Sequence, residues 1–100
     1  MIKIQPIQLR RGSGIGIMVE LPKTRALSIS TDKGYVMCGV LDVPFLDELH
    51  ADRKIVAARV TGVRELEELL TARVRDCTVA AAELGIQPGM TGAEALDLMM

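Results

Sequence analysis

From Ile15 to Ile29 apolar residues recur at every second position, and the pattern is broken only around Pro22-Lys23. Ile15, Ile17, Val19 and Leu21 fall on one side of an extended segment, and Leu27 and Ile29 resume the alternation after the break. Two runs joined by so short a connection pair as antiparallel neighbours, because a parallel pair needs a crossover of about a dozen residues or more. The flanking segments extend the pattern. Ile2 to Leu9 alternates with a change of phase at Pro6, which predicts an edge strand or a bulge. Arg10 to Gly14 and Asp32-Lys33-Gly34 read as turns, with Gly34 able to take a positive φ. Gly34 to Asp42 reads as a fourth strand, so the first four strands are expected to form a meander. On the second strand Gly14, Gly16 and Met18 occupy the side opposite the isoleucines. Glycines there suggest close approach by another backbone, or a bulge.

The second half changes period. Pro44 fits the first turn of a helix, with Phe45, Leu46 and Leu49 on one side and an end near Asp52-Arg53-Lys54. Ile55 to Val60 is a fifth strand, apolar on both faces apart from Arg59 and therefore interior. Strand, helix, strand is a crossover, which makes this strand parallel to an earlier one. Arg64 to Ala72 places Leu66, Leu69 and Leu70 at helical spacing. Cys77, Ala80, Ala81 and Leu84 do the same for a third helix, with Asp76 as its N-cap. Gly85 is expected to end that helix in a left-handed conformation, and Ile86 to fold back on its last turn. Thr91-Gly92-Ala93-Glu94 is a capping box for a fourth helix. No repeat or linker interrupts the chain. The expectation is one α+β domain over residues 1–100, a mostly antiparallel sheet of about five strands with helices packed on one face.

Composition narrows the function classes. One hundred residues support one core. Hydrophobic residues make up 49% and aromatics 2%, so the core must be aliphatic. A small domain of that kind often completes its burial against another subunit, and a homo-oligomer is expected. The net charge is −1 with both signs mixed along the chain, which argues against nucleic acid and membrane as partners. No apolar run is long enough to span a bilayer, and the N-terminus lacks the apolar stretch of a signal peptide, so a cytoplasmic location is expected. Two distant cysteines then read as free thiols. One histidine and no CxxC pair give no zinc site, and no cofactor is implied.

Several residues could carry chemistry. Cys38 has two readings: a small buried hydrophobe, or a nucleophile made accessible by Gly39. A reactive thiolate needs a cation nearby, and Lys23, Arg25 and Arg59 are the candidates. Cys77 reads as core packing. Asp42 reads as a helix cap, or as a carboxylate at a strand's C-terminal end where binding groups often sit. Lys23-Thr24 offers an ammonium and a hydroxyl to a small anionic ligand if the turn faces a cleft, and Tyr35 stands on the strand that would line it. Gly12-Ser13-Gly14-Ile15-Gly16 leads into a strand, so the context of a phosphate loop is missing. The Gly85–Gly92 connection is explained by turn and capping chemistry. His50, without a partner at ligand spacing, is expected at the surface.

Four segments come in order: Leu21-Pro22-Lys23-Thr24; Gly34-Tyr35-Val36-Met37-Cys38-Gly39 running through Leu41-Asp42; Ala58 with Val60, Gly62 and Val63; and Leu84-Gly85-Ile86 through Gly89-Met90, Gly92 and Glu94-Ala95-Leu96. Together they resemble the YunC-like proteins, a small bacterial and archaeal family described as a domain of unknown function. The resemblance runs from about Leu21 onward and implies a stand-alone cytoplasmic α+β domain. It implies no activity and no catalytic residue. The leading functional expectation is a small oligomeric binding or interaction domain, with a pocket between the Pro22-Lys23-Thr24 turn and the Tyr35–Asp42 strand. The alternatives are a cysteine-dependent enzyme with Cys38 as nucleophile, Lys23 beside it and Asp42 orienting substrate, or a structural subunit.

Overall fold

The computed structural model describes residues 1–49 and 53–100, so the expectation for His50 lies outside the described residues. Among the described residues ten elements follow one another: β1 (Ile2–Leu9), β2 (Gly12–Leu21), β3 (Thr24–Ser30), β4 (Gly34–Met37), α1 (Val43–Leu49), β5 (Val56–Val60), α2 (Glu68–Thr71), β6 (Val74–Cys77), α3 (Val79–Glu83) and α4 (Gly92–Leu98). The strands form one sheet in the order of the sequence. Every pairing is antiparallel except β4 with β5, which are joined through α1 as a crossover requires. The meander and the parallel step are therefore as expected. Among the described residues no helix is long and apolar enough to cross a membrane.

The sheet has six strands, one more than the alternation predicts. The extra one is β6, which takes Asp76 and Cys77 out of the expected third helix. Arg59 on β5 makes a two-pronged ion pair with Asp76, Nε to Oδ1 at 2.8 Å and Nη2 to Oδ2 at 2.6 Å. Asp76 is thus a cross-strand partner and not a helix cap. The N-cap of α3 is Thr78, whose hydroxyl accepts the Ala81 amide. The other caps follow the sequence. Gly85 takes φ +95°, and Ile86 and Gly85 donate to the Ala81 and Ala82 carbonyls in a Schellman closure. Thr91 and Glu94 complete a reciprocal capping box.

The principal core lies on one face of the sheet. Ile7, Leu9, Met18, Leu27, Ile29, Val36, Ala58 and Val60 pack there with Leu69, Ala81, Ile86 and Leu96 of the helical half. The change of phase at Pro6 is explained by this arrangement. Ile7 and Leu9 point into the core while Ile2 and Ile4 point away from it, and the register with β2 is continuous through Pro6. On β2 it is Gly14, Gly16 and Met18 that face the core. A Cβ on Gly16 would lie 2.9 Å from Ile7 and 3.2 Å from Leu66, so the glycine makes room for those side chains. The opposite face is covered only in part. There α1 and its flanks, with Leu41, Val43, Leu46 and Ile55, pack on Tyr35, Met37 and Ala57.

Candidate functional site

The strand expected over Gly34–Asp42 ends at Met37. Cys38 pairs once more with β3 through its amide, which donates to the Leu27 carbonyl at 3.0 Å. Its Sγ then accepts the Leu27 amide at 3.3 Å, the donor that a further strand residue would otherwise satisfy. Leu41 donates back to the Cys38 carbonyl at 3.1 Å, so residues 38–41 form a turn with Gly39 and Val40 at its corner. Asp42 follows as the cap of α1, its Oδ1 accepting the Phe45 amide at 3.1 Å.

The segment that follows β5 lies beside the β2–β3 turn. Pro22 and Lys23 make that turn, with Leu21 opposite Thr24 and Lys23 at φ +63°. Lys23 and Lys54 are the non-glycine residues with positive φ among those described. Such a conformation costs roughly 1 kcal/mol or more for a residue with a Cβ. Across from the turn runs the segment between β5 and α2. Its backbone is held by the Glu68 carboxylate, whose Oε1 accepts the amides of Arg64 at 2.8 Å and Glu65 at 2.9 Å. Those two donors hold the Glu68 carboxyl below the usual carboxylate range.

Between the two walls is an open cleft of about 770 Å³ lined by Glu20, Leu21, Lys23, Thr24, Arg25, Val63, Arg64 and Glu65. Arg25 ties the walls together. Its Nη1 donates to the Arg64 carbonyl at 3.0 Å and to Glu65 Oε1 at 2.9 Å, and its Nη2 lies 3.6 Å from Glu20 Oε1. Lys23 and Arg64 make no ion pair among the described residues. The cleft therefore presents Lys23 and Arg64 outside any ion pair, the Thr24 hydroxyl, and Arg25 held between the Glu20 and Glu65 carboxylates.

The residues singled out from the sequence separate into three places. Lys23 and Thr24 line the cleft. Cys38 is buried outside the cleft lining, with Sγ donating to the Arg25 carbonyl at 3.7 Å, while the Arg25 guanidinium is engaged by Glu65. Tyr35 and Asp42 stand apart from the cleft. Tyr35 sits on the α1 face beside Ala57, where burial pushes its phenol up. Arg59 is on that same face, held charged mainly by its hydrogen bonds to Asp76 and further by the field of Asp76 and Asp42. It cannot serve Cys38, which faces the main core. The contribution of Arg64 and Glu65 was not legible, since a charged pair opening an amphipathic stretch reads as helix surface.

The two thiols should behave differently. Cys77 is partly exposed, its Sγ donates to the Ile86 carbonyl at 3.6 Å, and burial with the charges of Asp76 and Asp47 pushes it up. Iodoacetamide should modify Cys77 slowly at neutral pH and faster as pH rises beyond the ordinary thiol range. Cys38 should stay unmodified until denaturant is added. Mass spectrometry of wild type, Cys38→Ser and Cys77→Ser checks this, and faster labelling of Cys38 would contradict its burial.

A family model described as a domain of unknown function, DUF1805, matches residues 37–99, which include the Val63–Glu65 wall but not the Lys23 turn. Uncharacterized protein YunC of Bacillus subtilis (strain 168) is 44% identical over 100 residues, spanning 100% of this chain and 99% of that protein. The crystal structure of a protein of unknown function from Thermoplasma acidophilum matches with a TM-score of 0.89 at 28% identity, covering 100% of this chain and 94% of that one. By both the family model and the full-length relative, the chain belongs to the YunC-like family of domains of unknown function.

Proposed function

We propose that the cleft between the β2–β3 turn and the Val63–Glu65 segment binds a small anionic metabolite in a cytoplasmic protein. The observation that carries this reading is that Lys23 and Arg64, neither in an ion pair among the described residues, line one cleft in which the two carboxylates, Glu20 and Glu65, are already engaged by Arg25. Its volume of about 770 Å³ suits a small-molecule site, which typically encloses about 300–1,000 Å³. A lysine held at φ +63° supports the same reading, because glycine would serve the turn at lower conformational cost. Lys23 and Arg64 would supply charge-assisted hydrogen bonds to carboxylate or phosphate oxygens, with Thr24 adding a hydroxyl. The cysteine-dependent alternative is less well supported, because Cys38 Sγ is engaged with the Leu27 amide and the Arg25 carbonyl and is 5% exposed.

Titration with inorganic phosphate and with succinate, followed by amide chemical shifts, is expected to move Lys23, Thr24 and residues 63–65 selectively. Lys23→Ala and Arg64→Ala should each weaken binding about tenfold, the loss of one charge-assisted hydrogen bond. Lys23→Gly separates charge from conformation: thermal stability should rise while binding falls as in Lys23→Ala. Diffuse shifts, or affinities unchanged in these variants, would remove the cleft from consideration.

A further inference from the structure

The isoleucines Ile2, Ile4, Ile15 and Ile17 of the first two strands are not in the core. Ile2, Ile4, Pro6, Ile15, Ile17 and Val19 share one sheet face by register, the face opposite the main core, and β3 continues it with Ala26, Ser28 and Ser30. Of these, Ile2, Ile4 and Ile15 are 65%, 67% and 53% exposed. α1 packs over only the β4–β5 end of this face. No residue of the set is charged, and Gln8, Ser13 and Thr24 give it a polar border. An apolar centre with a polar border is the anatomy of a protein interface.

We propose that this face packs against the same face of a second copy of the chain, sheet on sheet, to form a homodimer. An uncharged face is self-complementary, because two-fold packing sets it against its own residue set and no like charges meet. Strands spaced about 4.8 Å apart with a rise of about 3.3 Å per residue give the three-strand face a footprint of roughly 400–500 Å² before side-chain relief is counted. Stable interfaces begin near about 600 Å² per partner, so the flat footprint supplies most of that area, and Leu21, 43% exposed on the same face by register, extends it. Edge-to-edge pairing through β1 is disfavoured by Pro6, which removes a donor from the outer rim, and by Lys3. The face lacks the aromatic anchors common on membrane-lying surfaces. The dimer face meets the anion cleft at Leu21 and Thr24, but Lys23 lies in the turn beyond the face, and Lys23→Ala should leave the dimer intact.

Sedimentation equilibrium at micromolar concentration is expected to give the mass of two chains. Ile4→Glu and Ile15→Glu should each weaken association by at least about a hundredfold, since a buried carboxylate replaces an apolar contact on both copies. Lys3→Glu, outside the face, should remain dimeric. Circular dichroism checks folding, and Ile4→Ser and Ile15→Ser give the same reading if a glutamate variant is unfolded. A monomeric wild type, a dimer that survives these substitutions, a mass above two chains, or a wild-type monomer that binds phosphatidylcholine vesicles would each overturn the proposal.

Discussion

Gly92→Ala is expected to lower the stability of the domain by more than about 4 kcal/mol, enough to unfold many domains of this size. Gly92 is the first residue of α4, buried against α2, and its amide donates to the Ala72 carbonyl at 2.9 Å. A Cβ there would overlap the carbonyl oxygen of Leu69. The obstacle is backbone, so no side-chain rotation relieves it, and α2 and α4 would have to separate. Local preference points the other way, since alanine is favoured over glycine inside a helix by about 1 kcal/mol. The sign of the effect therefore distinguishes close helix packing from helix propensity. Urea unfolding of Gly92→Ala beside Gly39→Ala provides the comparison. A Cβ on Gly39 would meet only Thr61 Cγ2 at 3.6 Å, an ordinary contact, and that variant should stay within about 0.5 kcal/mol of wild type. A stable Gly92→Ala protein would contradict the α2–α4 contact.

The contrast between those two glycines also shows what the sequence could reveal. Short connections and period-two alternation make the meander readable, because turn length and side-chain alternation are local properties. Which face of β2 turns inward is not local. The apolar stripe of Ile15, Ile17 and Val19 looks like a core face, yet Gly16 faces the core because Ile7 and Leu66, both distant in sequence, need the space. The strand β6 was hidden for a related reason. Val74-Arg75-Asp76-Cys77 is short and polar, and its place in the sheet depends on Arg59 pairing with Asp76 across β5. The candidate site followed the same division. Lys23 and Thr24 were legible from turn chemistry, whereas Arg64 and Glu65 reach the cleft through a carboxylate three or four residues further on that collects their amides.

Thr78 was passed over for Asp76, and Thr78→Val is expected to destabilise the domain by about 3 kcal/mol although the two side chains have nearly the same shape. A hydroxyl has one donor and two acceptor positions, and Thr78 uses all three while only 1% exposed. It donates to the Ile55 carbonyl at 2.6 Å and accepts the Ala57 amide at 3.1 Å and the Ala81 amide at 3.3 Å. The first two contacts tie the start of β5 to the end of β6, and the third caps α3. Valine fills the volume but leaves these buried groups unpaired, at about 1–3 kcal/mol each when water cannot reach them. Thr78→Ser keeps the hydroxyl and loses one methyl group, so its cost should be near 1 kcal/mol. Urea unfolding of the two variants separates hydrogen bonding from packing. A loss confined to Thr78→Ser would mean that the methyl group, and not the hydroxyl, secures the junction. A loss confined to Thr78→Val would establish this one side chain as what joins β5, β6 and α3, the part of the fold that alternation alone could not reveal.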